Sequence, residues 1–333
     1  MKKILNLFIL IIILAGCQAD DVSNPQNNQE SSQPVQEEMP VAKFPDENLE
    51  KTDEGSAVEQ LQAALNEIGY DIEISGVYDD TTTWAITDFQ LQQENVHPTG
   101  VYDEQTRELL TSVLEKEQKV EAGKSLPEPT EPVFSEYGTQ VIANPYDQLA
   151  LVNKEHALPE DYIPEDLVIP NVPFPFTEEL PKMQMREIAA EKLEEMFQAA
   201  DEAGLDLYAQ SGYRSFERQD AIFTMNAEKD GEEEANQYSA RPGESEHQTG
   251  LTMDVTSPDV NYELVEEFGE TDEGKWVEEN AASYGFIIRY PKGKEDITQY
   301  QYEPWHLRYV GKKAAEKMMS EGMTLEEYLG AAE

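Results

Sequence analysis

Apolar positions change period several times along the 333-residue chain, and each change marks a different kind of element. Lys2 and Lys3 precede an apolar run over residues 4–15, too short for a comfortable bilayer-spanning helix but shaped like an export signal. From 17 to 53 apolar residues thin out among Gln, Asn, Ser, Pro and Glu, which predicts a flexible tether unable to offset the entropy of folding. Val58, Leu61, Leu65 and Ile68 then recur at helical spacing, with Gly69 as a stop, and Trp84, Ile86 and Phe89 mark a second short helix. A weak internal repeat accompanies them: Gly76-Val77-Tyr78-Asp79 and Gly100-Val101-Tyr102-Asp103 each supply a turn glycine and an aspartate able to cap the next helix. The result is a small three-helix unit over 54–114. In the linker predicted over 115–143, Pro127, Pro129 and Pro132 interrupt a charged stretch and argue against a regular element.

The remaining region, 144–325, alternates helical and strand patterns. Ile188, Leu193, Met196, Phe197 and Ala200 line one face of a helix predicted over 182–203, with Gly204 as its C-cap. Strands are predicted over 205–210, 251–256, 285–290 and 305–310, with a helix over 275–282. Leu251, Met253 and Val255 alternate with Thr252, Asp254 and Thr256, so Asp254 shares a strand face with the two threonines. The fold class is α+β, a mainly antiparallel sheet with flanking helices joined to the three-helix unit. The pattern does not yield the order of the strands.

Charge narrows the partners. With 69 acidic and 24 basic residues the formal charge is −45, a field that repels phosphate backbones, so nucleic acid is excluded as an expected partner. Such acidity fits surface solvation in a harsh extracellular medium and does not identify a substrate. Cys17 is the sole cysteine, and Leu14-Ala15-Gly16-Cys17 resembles a bacterial lipobox, whose cysteine takes a lipid after export over a signal peptide of residues 1–16. An ordinary cleaved signal or an uncleaved anchor are the alternatives, and all three place the protein outside the membrane. Without disulfides, stability must come from core packing or a metal.

Two of the four histidines, His247 and His306, lie in segments dense with polar residues: Ser245-Glu246-His247-Gln248-Thr249-Gly250, feeding the strand of Asp254, and Glu303-Pro304-Trp305-His306. Two imidazoles and a carboxylate leave a fourth tetrahedral position for water, as a catalytic zinc site requires. Spacing alone leaves ordinary surface or core histidines as the alternative. His97, beside Pro98, reads as a turn residue, and His156 as a surface or capping residue. The Glu232-Glu233-Glu234 and Glu194-Glu195 clusters read as solvated faces.

Longer motifs carry a family resemblance. Ser245-x-His247-x-x-Gly250-x-x-x-Asp254 and Glu303-Pro304-Trp305-His306 resemble the SxHxxGxxxD and EPWH motifs of VanY-type D,D-carboxypeptidases and their L,D-carboxypeptidase relatives, and Ser211-Gly212-Tyr213-Arg214-Ser215 with Gln219 resembles that family's SGYRSxxxQ. Val58 to Tyr70 and Gly76 to Gln90 resemble a peptidoglycan-binding domain. The resemblance implies a zinc hydrolase acting on peptidoglycan stem peptides, with binding to the wall and its glycan, and the chain is expected to be a monomer held to the membrane at Cys17. It makes His247, Asp254 and His306 the zinc ligands and Glu303 the base that takes a proton from water and returns it to the leaving amine. Arg214 offers a planar guanidinium to grip a free C-terminal carboxylate, and Gln219, Ser245 and Tyr290 match positions lining the terminal-residue pocket. D,D activity on pentapeptides and L,D activity on tetrapeptides both fit. An inactive wall-binding or sensor lipoprotein and a peptidoglycan endopeptidase are the competing readings; intact Glu303 opposes the first and Arg214 the second.

Overall fold

The computed structural model describes residues 43–128 and 131–332, so the expected signal peptide, Cys17 and residues 17–42 of the expected tether lie outside the described residues. Three helices, α1 (Ser56–Ile68), α2 (Asp80–Leu91) and α3 (Glu104–Glu115), form the first part. Asp79 accepts from the Thr82 amide at 2.9 Å and Asp103 from the Thr106 amide at 2.8 Å, so both predicted caps are made. The internal repeat has a further cause in two buried glutamines. Gln62 accepts from the Gly76 amide (3.0 Å) and donates to the Val77 carbonyl (2.9 Å), while Gln90 accepts from the Gly100 amide (2.9 Å) and donates to the Val101 carbonyl (2.9 Å). Each clamps the turn that launches the next helix, and Val58, Leu61, Leu65, Ile68, Ile86 and Phe89 fill the core between them.

Two boundary expectations change. Residues 43–53, expected as the end of the tether, are held by this core: Phe44 and Leu49 are buried, and Leu49 exchanges backbone hydrogen bonds with Tyr102. Two buried apolar side chains recover on the order of 1.5–3 kcal/mol each, which a polar tether lacks. The expected linker over 115–143 carries a regular pair, Val133–Phe134 antiparallel to Gln140–Val141, which in turn runs parallel to His156–Ala157. Pro132 stops one residue short of that ladder and so removes none of its donors. Nor does the linker hold the helices apart from the rest. The Gln148 amide donates to the Thr99 carbonyl (2.9 Å), Asn144 to Thr87 (2.9 Å) and Arg186 to the Pro98 carbonyl (2.9 Å), within one compact unit over Ala42–Glu333. His97 faces Asp166 at 3.3 Å across the same junction.

In the larger part, α4 (Glu187–Glu202) starts five residues after the predicted 182, because the backbone there is committed elsewhere. Met185–Arg186 pairs with Leu167–Val168, and the Gln184 carbonyl accepts from the Tyr213 amide. The sheet comprises β1 (Tyr208–Ser211), β2 (Thr252–Thr256), β3 (Phe286–Tyr290) and β4 (Glu303–Tyr309) in the order β1-β2-β4-β3, every neighbour antiparallel. One face presents Met253, Val255, Trp305 and Leu307 to Leu193, Met196 and Phe197 of α4, forming the main core. Thr252, Asp254, His306 and Arg308 take the other face, as strand alternation requires. Among the described residues no helix is long and apolar enough to cross a membrane.

Candidate active site

Strand register assembles the site. Ser211 pairs with Asp254 and Asp254 with His306, which sets three polar side chains in one row across β1, β2 and β4, while Tyr290 pairs with Glu303 beside them. His247 enters from the 3-10 turn Glu246–Thr249 that leads into β2. Gly250, which ends that turn, has φ +71°, and a Cβ there would meet the Arg186 side chain at 2.9 Å, so glycine is required on both counts. Gly212 in the loop after β1 is equally confined, since a Cβ would strike the Gln184 carbonyl. Its own carbonyl lies 2.7 Å from His247 Nδ1. A carbonyl only accepts, so Nδ1 carries the proton and His247 Nε2 is left as the ligand atom, 3.4 Å from Asp254 Oδ2.

His306 is turned the other way, with Nδ1 3.3 Å from Asp254 Oδ1 and 3.6 Å from Glu303 Oε2. One ligand atom from each of His247, Asp254 and His306 falls within 4.8 Å of the others, and all three residues are buried. Asp254 Oδ1 has no hydrogen-bond partner although it is inaccessible to water, a costly arrangement for a carboxylate unless a cation completes it. Two imidazoles and one carboxylate, with no thiolate among the described residues, fit zinc with an open position.

Electrostatics agree with that donor set. Burial, reinforced by Arg214, pushes His247 down to about 3, so it stays neutral as a metal ligand must. Burial opposes a charge on His306 too, but the Asp254 and Glu246 carboxylates raise it to about 9, the same attraction a metal cation would feel. Asp254 resists its own burial and is held below the usual carboxylate range by His247, His306 and Arg214. Glu303 goes the opposite way. Burial lifts it to about 7, with the Asp254 charge adding to the rise against the pull of His306 and Arg214, which suits a group that must take and return a proton near neutrality.

A cavity of about 260 Å³ is lined by Arg214, Gln219, Ser245, Tyr290 and Glu303 together with the three ligand candidates. Larger clefts, such as one of about 530 Å³ beside Lys51 and Trp84, gather no comparable chemistry, so function is assigned by the donor set rather than by volume. Arg214 Nη1 donates to Gln219 Oε1 at 2.9 Å, and Gln219 Nε2 donates to the Ala240 carbonyl at 2.6 Å. Gln219 therefore lines the cavity, as expected, and also braces Arg214. Tyr290 packs on the His306 ring, centroids 4.8 Å apart, and Trp305 is buried in the core behind it. His156 lies outside this cavity and bonds Asn153 (3.2 Å).

Three buried residues escaped the sequence reading. Glu246 sits beneath His306, and its Oε1 accepts from Arg289 and Arg308, each at 2.7 Å. Although burial opposes it, those two guanidinium groups hold Glu246 well below the usual carboxylate range. The signal was present in two arginines, Arg289 and Arg308, placed within otherwise apolar strand runs, since a buried arginine demands a carboxylate.

Comparison with known proteins agrees with both parts. Residues 182–312 match the VanY D-alanyl-D-alanine carboxypeptidase family and residues 54–110 match a peptidoglycan binding domain family. YodJ of Bacillus subtilis (strain 168) is 56% identical over 191 residues, covering 57% of this chain and 70% of YodJ. A D-alanyl-D-alanine carboxypeptidase of Enterococcus faecalis (strain ATCC 700802 / V583) is 32% identical over 209 residues, covering 58% of this chain and 75% of that protein. The solved LdcB LD-carboxypeptidase is 53% identical with a TM-score of 0.59, covering 61% of this chain and 94% of LdcB. With its motifs in one cavity and these relatives matched over most of their length, the chain belongs to the VanY family of D-alanyl-D-alanine carboxypeptidases.

Proposed function

We propose that this chain is a zinc carboxypeptidase that removes the terminal D-alanine from peptidoglycan stem peptides, acting on the L,D bond of the tetrapeptide. One observation carries the hydrolytic reading: Glu303, Arg214 and the His247, Asp254, His306 triad line one cavity. The L,D assignment is supported by the 53% identity to LdcB, against 40% and 32% to the D-alanyl-D-alanine carboxypeptidases of Enterococcus faecium and Enterococcus faecalis.

His247 Nε2, an Asp254 oxygen and His306 Nδ1 would hold the metal. When bound, zinc polarises the scissile carbonyl and acidifies water. Glu303 takes the proton from the attacking water and delivers it to the leaving amine, two transfers that one carboxylate of near-neutral pKa can serve. Arg214, braced by Gln219, grips the free carboxylate of the terminal residue in a bidentate pair and so restricts the enzyme to chain ends. Ser245 and Tyr290 complete the pocket wall.

The helical unit serves wall binding, as its family match suggests. Lipid attachment at Cys17 on the outer face of the membrane, with the enzyme working as a monomer, rests on the lipobox-like Leu14-Ala15-Gly16-Cys17. The test is to give the zinc-loaded protein tetrapeptide and pentapeptide stems and weigh the products. Loss of one D-alanine from the tetrapeptide is expected. Loss from the pentapeptide alone makes the enzyme D,D-acting, and cleavage of neither, with retained binding to purified wall, leaves the inactive wall-binding reading.

A further inference from the structure

The charged cluster under the sheet has no place in the hydrolytic steps above. Glu246, Arg289 and Arg308 are each almost wholly inaccessible, and the cluster continues outward to Glu326, which receives Arg289 through a bidentate pair at 2.6 and 2.9 Å. Arg308 is fixed independently by the Gln148 and Ala150 carbonyls, each at 3.0 Å. Both arginines converge on one oxygen of Glu246, Oε1. The other oxygen, Oε2, has no hydrogen-bond partner and faces His306 Nε2 at 3.5 Å. His306 Nε2 is itself buried and unpartnered.

Two dry, unsatisfied atoms of complementary character face one another, and nothing else is offered to either. With Nδ1 turned to Asp254 and Glu303, a neutral His306 carries its proton on Nε2, and Glu246 Oε2, 3.5 Å away, is the acceptor that faces it. We infer that Glu246 is the positioning residue of the metal centre: its free oxygen fixes the tautomer and ring orientation of His306, and Arg289 and Arg308 fix Glu246. A carboxylate behind a ligating imidazole sharpens ligand basicity and geometry, and removal of such partners costs about 10–100-fold in metal affinity. The device ties the ligand to the far side of the domain, since Glu326 belongs to the terminal helical turn Leu325–Tyr328. The cluster thereby gains a purpose beyond neutralising two buried arginines.

The inference rests on the metal reading, and the test separates the two. Zinc affinity is measured by chelator competition, and unfolding by urea, for wild type, Glu246→Gln and Glu326→Gln. Glu326→Gln breaks the outer ion pair of the same cluster without touching His306. Zinc binding about 10–100-fold weaker in Glu246→Gln, with Glu326→Gln less stable yet within twofold of wild type for zinc, is the expected result. Equal affinity in Glu246→Gln and wild type overturns the inference, and so does an equal loss in both variants. Should Glu246→Gln not fold, long-range proton–nitrogen spectra of the zinc-loaded wild type decide: a slowly exchanging proton on His306 Nε2 supports the inference, and its absence overturns it. A wild type that binds no zinc sinks the metal reading, and the inference falls with it.

Discussion

Two clusters of buried polar groups, one in each half of the molecule, are treated in opposite ways. In the helical unit Asp88 is wholly buried, yet its carboxylate accepts from Tyr70, Gln92 and the backbone amides of Gly123, Ser125 and Leu126. Gln62 and Gln90 are equally occupied. In the sheet, Asp254 Oδ1, His306 Nε2 and Glu246 Oε2 are buried without a partner, all within one cluster. The Asp88 cluster is satisfied by the fold, whereas in the sheet cluster Asp254 Oδ1 is left open to a cation and Glu246 Oε2 faces only His306 Nε2, at 3.5 Å. The Asp88 cluster accordingly serves the fold, and the open oxygen of Asp254 suits a metal.

Several substitutions would break or sharpen that contrast. Glu303→Gln has the largest expected effect, a loss in kcat of about 10²–10⁴-fold. Zinc content measured by metal analysis should stay at one per chain, and a fully active variant removes Glu303 as the base. On the helical side, Gln90→Leu strips partners from the Thr99 and Gly100 amides and the Val101 carbonyl. Urea unfolding should show a loss of about 2–3 kcal/mol, with zinc affinity unchanged. If zinc binding fell as well, the two halves would not be separable in the way described.

Arg214→Lys keeps the charge but forfeits the planar fork, and kcat/KM on free-ended peptides should fall about 10- to 50-fold. An unchanged value would mean that Arg214 serves the domain's internal charge balance alone. The smallest effect is on stability. Because the folded-state pKa of Glu303 is raised to about 7 from an ordinary value of 4.5, its carboxyl costs nothing below about pH 4.5 and destabilises the fold progressively as pH rises through 7. Metal-free Glu303→Gln should therefore be more stable than metal-free wild type at pH 8, on the order of 1–2 kcal/mol, with the gap closing at pH 5. A gap of opposite sign would show that Glu303 is stabilised as an anion.

Much of this was legible in the chain because chemistry and capping use short, ordered motifs. Asp79 and Asp103 announce their helices by position, and His247, Asp254, Glu303 and His306 lie in two segments whose residue types have few other uses. What stayed hidden depends on pairings between distant segments. The sheet order β1-β2-β4-β3 follows from side-by-side register that no local pattern encodes. Gln219 turned out to brace Arg214 because the Ala240 carbonyl, 21 residues away, occupies its amide. Glu246 stood in plain view beside His247, but its role depends on Arg289 and Arg308 arriving from β3 and β4. The packing of Phe44 and Leu49 was likewise masked by the polar residues around them.

The central claim is that the buried triad of His247, Asp254 and His306 becomes a catalyst when one zinc completes it. The direct measurement is a titration of zinc into metal-stripped protein while D-alanine released from the tetrapeptide stem is quantified. The account predicts no release without zinc and a rise to a plateau at one zinc per chain, abolished in Asp254→Ala. Full activity in the stripped protein, or a plateau that Asp254→Ala leaves intact, would contradict it.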